Sequence, residues 1–368
     1  MNQPSKLFLY VGSYSGADVN GIHVLQFEPE QGGALTLLSG VKGVANPTFI
    51  NVDEQRLRLY SIGEKVNGHG VKEGEVIAYS VERESGALSE ISRTETMLAE
   101  GAIATTTCHI ARDSGSKFLV VASYHGGQIG LISLDAEGKT VRLTDFAVHS
   151  GRGAHPERQD RPHPHSATFS PDERFLFVCD LGIDVIRAYR IHAEKETLEL
   201  HGDTPLHPGA GPRHFAFHPD GRSAYVINEV DSTITSFTYD AAAGTLSPVV
   251  TVPTLPEDYT EENTCAEIAL SPDGRYLYGS NRGHDSIVVY AVDPATARLT
   301  LVEHTFTHGG HPRHFALTPG GDYLIAANRD SNNLVVFTRD SASGKLTFTG
   351  HEAQVPKPVC VKPVYLKA

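Results

Sequence analysis

Residues 211–229 read GPRHFAFHPDGRSAYVINE: two short apolar runs around a Pro-Asp-Gly turn, with Arg213 near one end and Glu229 at the other. Apolar runs of this length bounded by turn residues read as paired strands. A hairpin brings its ends together, so both charges fall on one rim of whatever the hairpin builds.

The motif recurs. HPHSATFSPDERFLFVCDLG starts at His163, NTCAEIALSPDGRYLYGSNRG at Asn263 and HPRHFALTPGGDYLIAANRD at His311. Their turn prolines, Pro171, Pro219, Pro272 and Pro319, lie roughly fifty residues apart. Two weaker copies precede them, NPTFINVDEQRLRLYSIGE from Asn46 and TTCHIARDSGSKFLVVASYHGG from Thr106. After each hairpin come a third run such as IVVYAV and a fourth behind a Gly-x-Leu signal such as GTLSPVV. A four-strand unit repeated at this period is the mark of propeller blades. The N-terminal LFLYVGSY lacks a strand before its turn, and the C-terminal KPVCVKPV resembles the missing one. The expected fold is therefore all-β: a seven-bladed β-propeller of four-stranded antiparallel blades, one domain over residues 1–368. Pairing of the N- and C-terminal strands would close the ring and leave no exposed edge.

Composition narrows the partners. Formal net charge is −13 with His neutral, and a nucleic-acid groove needs a Lys/Arg surplus. The acidic balance also argues against an anionic membrane, but not against a small anion held by local charge. No run approaches the ~18 apolar residues that span a bilayer. The N-terminal apolar run is too short for a signal peptide, so a cytoplasmic location is expected. Cys108, Cys179, Cys265 and Cys360 form neither a disulfide framework nor a zinc ribbon. A closed propeller folds without a partner, so a monomer or weak homo-oligomer is expected.

In such a fold strand one lines the central channel, and its start shares a rim with the end of strand two. Aligned on the turns, the first column reads Thr48, Cys108, His165, Arg213, Ala266, Arg313 and either Lys357 or Val359. The second reads Tyr14, Glu64, Tyr124, Leu181, Glu229, Arg282 and Arg329, beside a third that holds Asp180, Asn228, Asn281 and Asn328. Consecutive blades thus converge His165, Arg213, Glu229, Arg282, Arg313 and Arg329 on one mouth. A structural alternative is a ring of salt bridges, Glu229 with Arg282 or Arg213 and Asp180 with Arg213. Cations outnumber carboxylates in this set, however, and guanidinium forks match carboxylate or phosphate. Two long loops, HSGRGAHPERQDRPHPH (149–165) and PEDYTEENT (256–264), would feed the same rim. His163 and His165, with His109 and His125, have spacing a metal could use, but dense positive charge opposes a cation; no metal and no other cofactor is expected. His214, His218 and His314 read as structural.

At these residues the sequence resembles the seven-bladed propeller lactonases, which include propeller-type 6-phosphogluconolactonases and carboxy-muconate cyclases. The resemblance covers almost the whole chain and rests on the four strong copies. It implies a site of His, Arg, Glu and a second Arg, matching His165, Arg213, Glu229 and Arg282 here. The expected reaction is hydrolysis of an anionic sugar lactone, foremost 6-phospho-D-glucono-1,5-lactone, within carbohydrate metabolism and the pentose phosphate pathway. Water would attack the ring carbonyl with His165 as base and Glu229 orienting it or the water, although Glu229 could itself be the base. Arg213 and Arg282 would stabilise the oxyanion. Arg313 and Arg329 would hold the phosphate or carboxylate, with Tyr14, Glu64, Tyr124 and Asn281 as further substrate contacts. Two alternatives stand beside it: a lactonising cyclase or hydrolase for a muconate-type or other lactone, and a non-catalytic binding scaffold.

Overall fold

The computed structural model describes residues 6–366; the ends of the expected 1–368 domain lie outside the described residues. Seven four-stranded antiparallel sheets make up the chain. Six are sequential hairpin stacks, such as Pro212–Phe217, Ser223–Asn228, Thr233–Asp240 and Thr245–Pro253. The seventh joins the chain ends. Lys6–Ser13 pairs with Ile22–Glu28 on one side and with Pro358–Leu366 on the other, Tyr10 opposite Val24 and Lys362. The first strand of each blade packs against the first strands of both neighbours, and this closes the ring around a channel.

Cohesion comes from the seams between blades. Strand two of every blade is buried on both faces, as in Ser223–Asn228 and Phe118–Ser123. Each of its faces meets a different neighbour. Phe177 and Phe175 pack with Phe215, Phe237 and Tyr239 across one seam, and Tyr225 and Ile227 pack with Leu277 and Val288 across the next. Fourth strands such as Thr245–Pro253 alternate in exposure, as one-sided strands should. The Pro-Asp-Gly turns put Gly221 and Gly274 at positive φ, 69° and 71°, where glycine carries no Cβ penalty. Among the described residues helix is limited to the short turns Pro29–Gln31 and Leu181–Ile183, and no helix is long and apolar enough to cross a membrane.

Candidate active site

The inner strands Pro164–Phe169, Pro212–Phe217, Thr264–Leu270 and Pro312–Leu317 each carry a bulge near their start. Pro164 pairs with Asp180 and Ser166 with Cys179, so His165 stands outside the ladder. Arg213 is passed over between Pro212 and His214, and Arg313 between Pro312 and His314. Ala266 and Glu267 fall in the shift between Cys265 and Ile268, and Val359 is the residue passed over in the closing blade. A strand normally sends consecutive side chains to opposite faces, and a bulge re-aims one of them. Two neighbours can then both face the channel. His165 and Arg313 line the mouth, while Ser166 and His214, each the next residue after a bulged one, line a cavity on the other side.

The hairpin at 211–229 closes as its sequence suggested. The N–H of Glu229 donates to the carbonyl of Gly211 at 2.7 Å. Gly211 has φ +67°, and a Cβ there would sit 2.4 Å from the Val230 side chain, so glycine is needed for this closure. Arg213 Nε donates to Glu229 Oε2 at 2.8 Å, and Arg282 Nη2 lies 2.9 Å from the same oxygen. Arg158 donates to the other carboxylate oxygen. Three guanidiniums therefore share one buried carboxylate. Burial pushes the Glu229 pKa up, but Arg282, Arg213 and Arg158 outweigh it and hold it far below the carboxylate range. Further anchors fix the arginines: Arg213 Nη1 donates to the Ala266 carbonyl at 2.6 Å, and Arg282 Nη2 to the Cys265 carbonyl at 2.5 Å.

The mouth is a cavity of about 570 Å³. Tyr14, Glu64, Tyr124, His165, Glu229, Arg282 and Arg313 line it, as do Arg158, Lys72 and, from the acidic loop, Glu262 and Thr264. Four cations and three carboxylates face this space, with Arg213 a fifth cation behind Glu229. Arg313 makes no ion pair among the described residues; its guanidinium lies 5.6 Å over the Tyr14 ring. Glu64 accepts from Asn46 Nδ2 at 2.9 Å and Lys72 Nζ at 3.1 Å. The His165 ring meets the edge of Tyr124 at 5.7 Å, and Tyr124 in turn stacks on His163 at 4.2 Å. Burial first, and then Arg213, His214, Arg313 and Arg282, drive the His165 pKa well below its ordinary value, which leaves a neutral imidazole.

Not every residue of the three columns reaches the mouth. Arg213 is 2% exposed and does not line the cavity; it backs Glu229. Arg329 bonds its neighbour Asp330 at 2.6 and 3.1 Å and stays on the outer rim. Asn281 is fully buried and donates to the Thr254 carbonyl at 2.8 Å. Asn328 does the same for Thr307 at 3.0 Å, so this column fastens loops. Asp180 takes His149 at 2.6 Å and the His163 N–H at 2.7 Å, rather than Arg213. Glu229 makes no hydrogen bond to His165 among the described residues.

Sequence alignment of the repeats missed Arg158. It lies in the 149–165 loop, which has no counterpart in other blades. The loop is pinned by Gln159, whose buried amide donates to the Leu181 carbonyl at 2.8 Å and Asp184 Oδ1 at 2.6 Å. This anchoring delivers the adjacent arginine to Glu229.

The described residues thus form a closed seven-bladed β-propeller with a charged cavity at one mouth of its channel. Its sequence matches the family described as "Lactonase, 7-bladed beta-propeller" over residues 8–363, and the chain belongs to that family of hydrolases. Among curated relatives, the 6-phosphogluconolactonase of Bacillus subtilis is 35% identical over 311 residues, 84% of this chain and 85% of the relative. The 6-phosphogluconolactonase of Formosa agariphila is 33% identical over 320 residues, 83% of this chain and 85% of its own. Among solved structures, the periplasmic gluconolactonase of Pseudomonas aeruginosa superposes with a TM-score of 0.88 at 30% identity, over 98% of this chain and 99% of that one. The chain is thus a lactonase, and its substrate is a small lactone.

Proposed function

We propose that the mouth hydrolyses a phosphorylated aldonolactone, 6-phospho-D-glucono-1,5-lactone foremost, with His165 as general base. The observation that carries this reading is Arg313, a cation facing the cavity without a carboxylate partner, beside Arg282 and Arg158, which share one carboxylate between them. An unpaired guanidinium in a concave site is a ready partner for a phosphate. The names of the Bacillus and Formosa relatives point to the same substrate.

The chemistry follows from the charges. Glu229 is a weak base because three arginines stabilise its ionised form. Its role is to hold Arg213, Arg282 and Arg158 in place. His165 is neutral and can accept a proton. In the free site the surrounding arginines oppose the imidazolium, but a bound anion offsets their field and raises the basicity of the ring. Water then adds to the lactone carbonyl while its proton passes to His165. Arg282, at the mouth, stabilises the oxyanion; a donor in that role is typically worth ~10²–10³ in rate. As the ring C–O bond breaks, His165 returns the proton to the departing oxygen. The carboxyl group so formed loses its own proton to solvent, and the product is a hydroxy acid with one more negative charge than the lactone.

A second reading, hydrolysis of unphosphorylated glucono-1,5-lactone, is favoured by the periplasmic relative's name. Two variants and two substrates separate them. His165→Ala should lower kcat by about 10²-fold or more on either lactone. Arg313→Gln should raise KM for the phosphorylated lactone by about 10- to 100-fold, the worth of a charge-assisted hydrogen bond. It should change KM for glucono-1,5-lactone less than about threefold. Unchanged turnover by His165→Ala would remove the base, and equal effects of Arg313→Gln on both lactones would remove the phosphate contact.

A further inference from the structure

One layer below the mouth, the channel is crossed by a second set of inward side chains: Phe49, His109, His214, Glu267 and His314. Phe49 packs on His109 at 4.3 Å and meets the edges of His214 and His314 at 5.8 and 5.6 Å. Glu267 bridges the two histidines. Its Oε1 lies 3.0 Å from His214 Nδ1, and its Oε2 lies 3.0 Å from His314 Nε2. The N–H of Ile268 donates to Oε1 at 3.0 Å. All three residues are buried. Buried ionic groups seldom stabilise a fold more than apolar residues of equal volume would, so folding alone does not account for this set.

Its position does. The His214 ring meets the His165 ring edge to face, centroids 5.2 Å apart. His165 Nδ1 and His214 Nε2 are both buried and without a hydrogen-bond partner among the described residues. A buried polar nitrogen is rarely left unmatched, and here two of them sit on rings in contact.

We propose that Glu267, acting through His214, fixes the tautomer and orientation of His165. An ionised carboxylate only accepts hydrogen bonds, so His214 must present Nδ1–H to Glu267 and keep a lone pair on Nε2. That lone pair accepts the Nδ1–H of His165 across one water, since the two nitrogens make no direct hydrogen bond. The His165 Nε2 lone pair is then the one turned to the mouth. His314 donates its Nε2–H to the same carboxylate. The N–H of Val361 approaches the other nitrogen of His314 at 3.4 Å, and the Glu267 contact survives whether that ring is neutral or charged.

The charge states agree with this arrangement. Burial pushes Glu267 up, but His214 and His314 outweigh it and hold the carboxyl well below its ordinary range. His214 is pushed down to about 4, chiefly by burial against the pull of Glu267, so it is neutral and has a lone pair to offer. During turnover the water proton moves to His165 Nε2 as the new C–O bond forms, and leaves from there to the ring oxygen as the old bond breaks. Glu267, His214 and His314 exchange no proton with substrate; they are positioning residues. The assignment rests on His165 being the base.

The test uses the intact protein labelled with 15N-histidine, in which long-range 1H–15N correlations report ring tautomers. The His214 signal is identified by its loss in His214→Phe. Near pH 7, His214 and His165 are each expected to carry the proton on Nδ1. In Glu267→Met, which cannot accept a hydrogen bond, His214 should move toward the Nε2–H form. Its kcat should fall about 10²-fold, with KM changed less than about threefold. Glu267→Gln, which can still accept one N–H, should recover part of the rate. If Glu267→Met does not fold, His214→Phe tests the rate effect, since it keeps an aromatic ring but removes the acceptor. Wild-type His214 protonated on Nε2, or a folded Glu267→Met with wild-type kcat, would overturn the proposal. The tautomer measurement needs no turnover. Full activity in His165→Ala would therefore count against the base, and a wrong tautomer against the relay.

Discussion

Replacing Glu229 by Gln isolates the carboxylate that organises the mouth. The substitution keeps the shape but removes the charge that Arg213, Arg282 and Arg158 share. Arg213 and Arg282 are 2% and 7% exposed, so solvent cannot replace the lost partner. Removing one member of a buried ion pair costs about 3–5 kcal/mol, and the amide's remaining hydrogen bonds favour the lower end. For a chain of 368 residues, an unfolding entropy of about 2.1 cal/mol/K per residue converts 3 kcal/mol to a Tm loss of about 4 °C. The loss should depend on pH in one direction. Glu229 is held far below the carboxylate range in the folded protein, whereas an unfolded Glu titrates near ~4.3. Its contribution is thus complete above that value and fades as pH falls toward the folded pKa. Calorimetric melts of wild type and Glu229→Gln at pH 7.5, 5.5 and 4 should show a gap that is widest at the two higher values and narrows at pH 4. A variant that melts with wild type at pH 7.5, or a gap that widens on acidification, would refute the three-arginine clamp.

The field around His165 predicts a split between two pH profiles. Burial and then Arg213, His214, Arg313 and Arg282 lower its pKa in the free enzyme, while Cys108 and Tyr124 complete the groups beside it. A base works above its pKa, and a bound phosphate offsets the arginines. With the phosphorylated lactone, the acid limb of kcat should therefore lie at higher pH than that of kcat/KM, after subtraction of spontaneous hydrolysis; coincident limbs would contradict the argument. Asn281→Ala and Arg329→Ala separate fastening from binding. The first removes one of two donors to the buried Thr254 carbonyl, His304 Nε2 at 3.0 Å being the other, and should cost about 0.5–1.5 kcal/mol, with kcat/KM unchanged within about twofold. The second loses the contact to the exposed Asp330 and a long one, 3.4 Å, to His311 Nδ1, and should alter stability by less than about 0.5 kcal/mol and activity not at all. Thermal melts and lactone assays on both proteins check this pair.

The fold was legible because one hairpin recurs clearly in four copies and more weakly in two, and a split seventh completes the ring. The terminal strand pairing was legible for the same reason: one copy lacked its first strand, and the far end of the chain supplied it. The site was harder to read. Column alignment brought His165, Glu229, Arg282 and Arg313 to the mouth with Tyr14, Glu64 and Tyr124. Symmetry was then carried too far at Arg329, where the adjacent Asp330 binds the guanidinium locally. It also assigned Ala266 to the mouth and passed over Glu267, because a one-residue column cannot show that a bulge directs two neighbours inward. Arg158 had no column at all, since the loop that holds it is an insertion.

These misses share a cause that bears on how a repeat builds a site. Residues that stay the same from blade to blade serve what every blade needs. Asn228, Asn281 and Asn328 each bond a nearby polar group, and the last two hold corresponding threonine carbonyls. Seven equal blades would make only a symmetric mouth, yet attack on one carbonyl needs a base on one side and cations on another. Function must therefore lie where the repeat departs from itself. Here the departures gather at the bulged positions, which read His165, Arg213, Ala266 with Glu267, and Arg313 in consecutive blades. Bulged residues are free of the sheet's side-chain alternation, so they can change chemistry without disturbing the ladder beside them. Conservation of the hairpin and variation at its bulge are thus two sides of one design: the first fixes where the channel is, and the second decides what it can do.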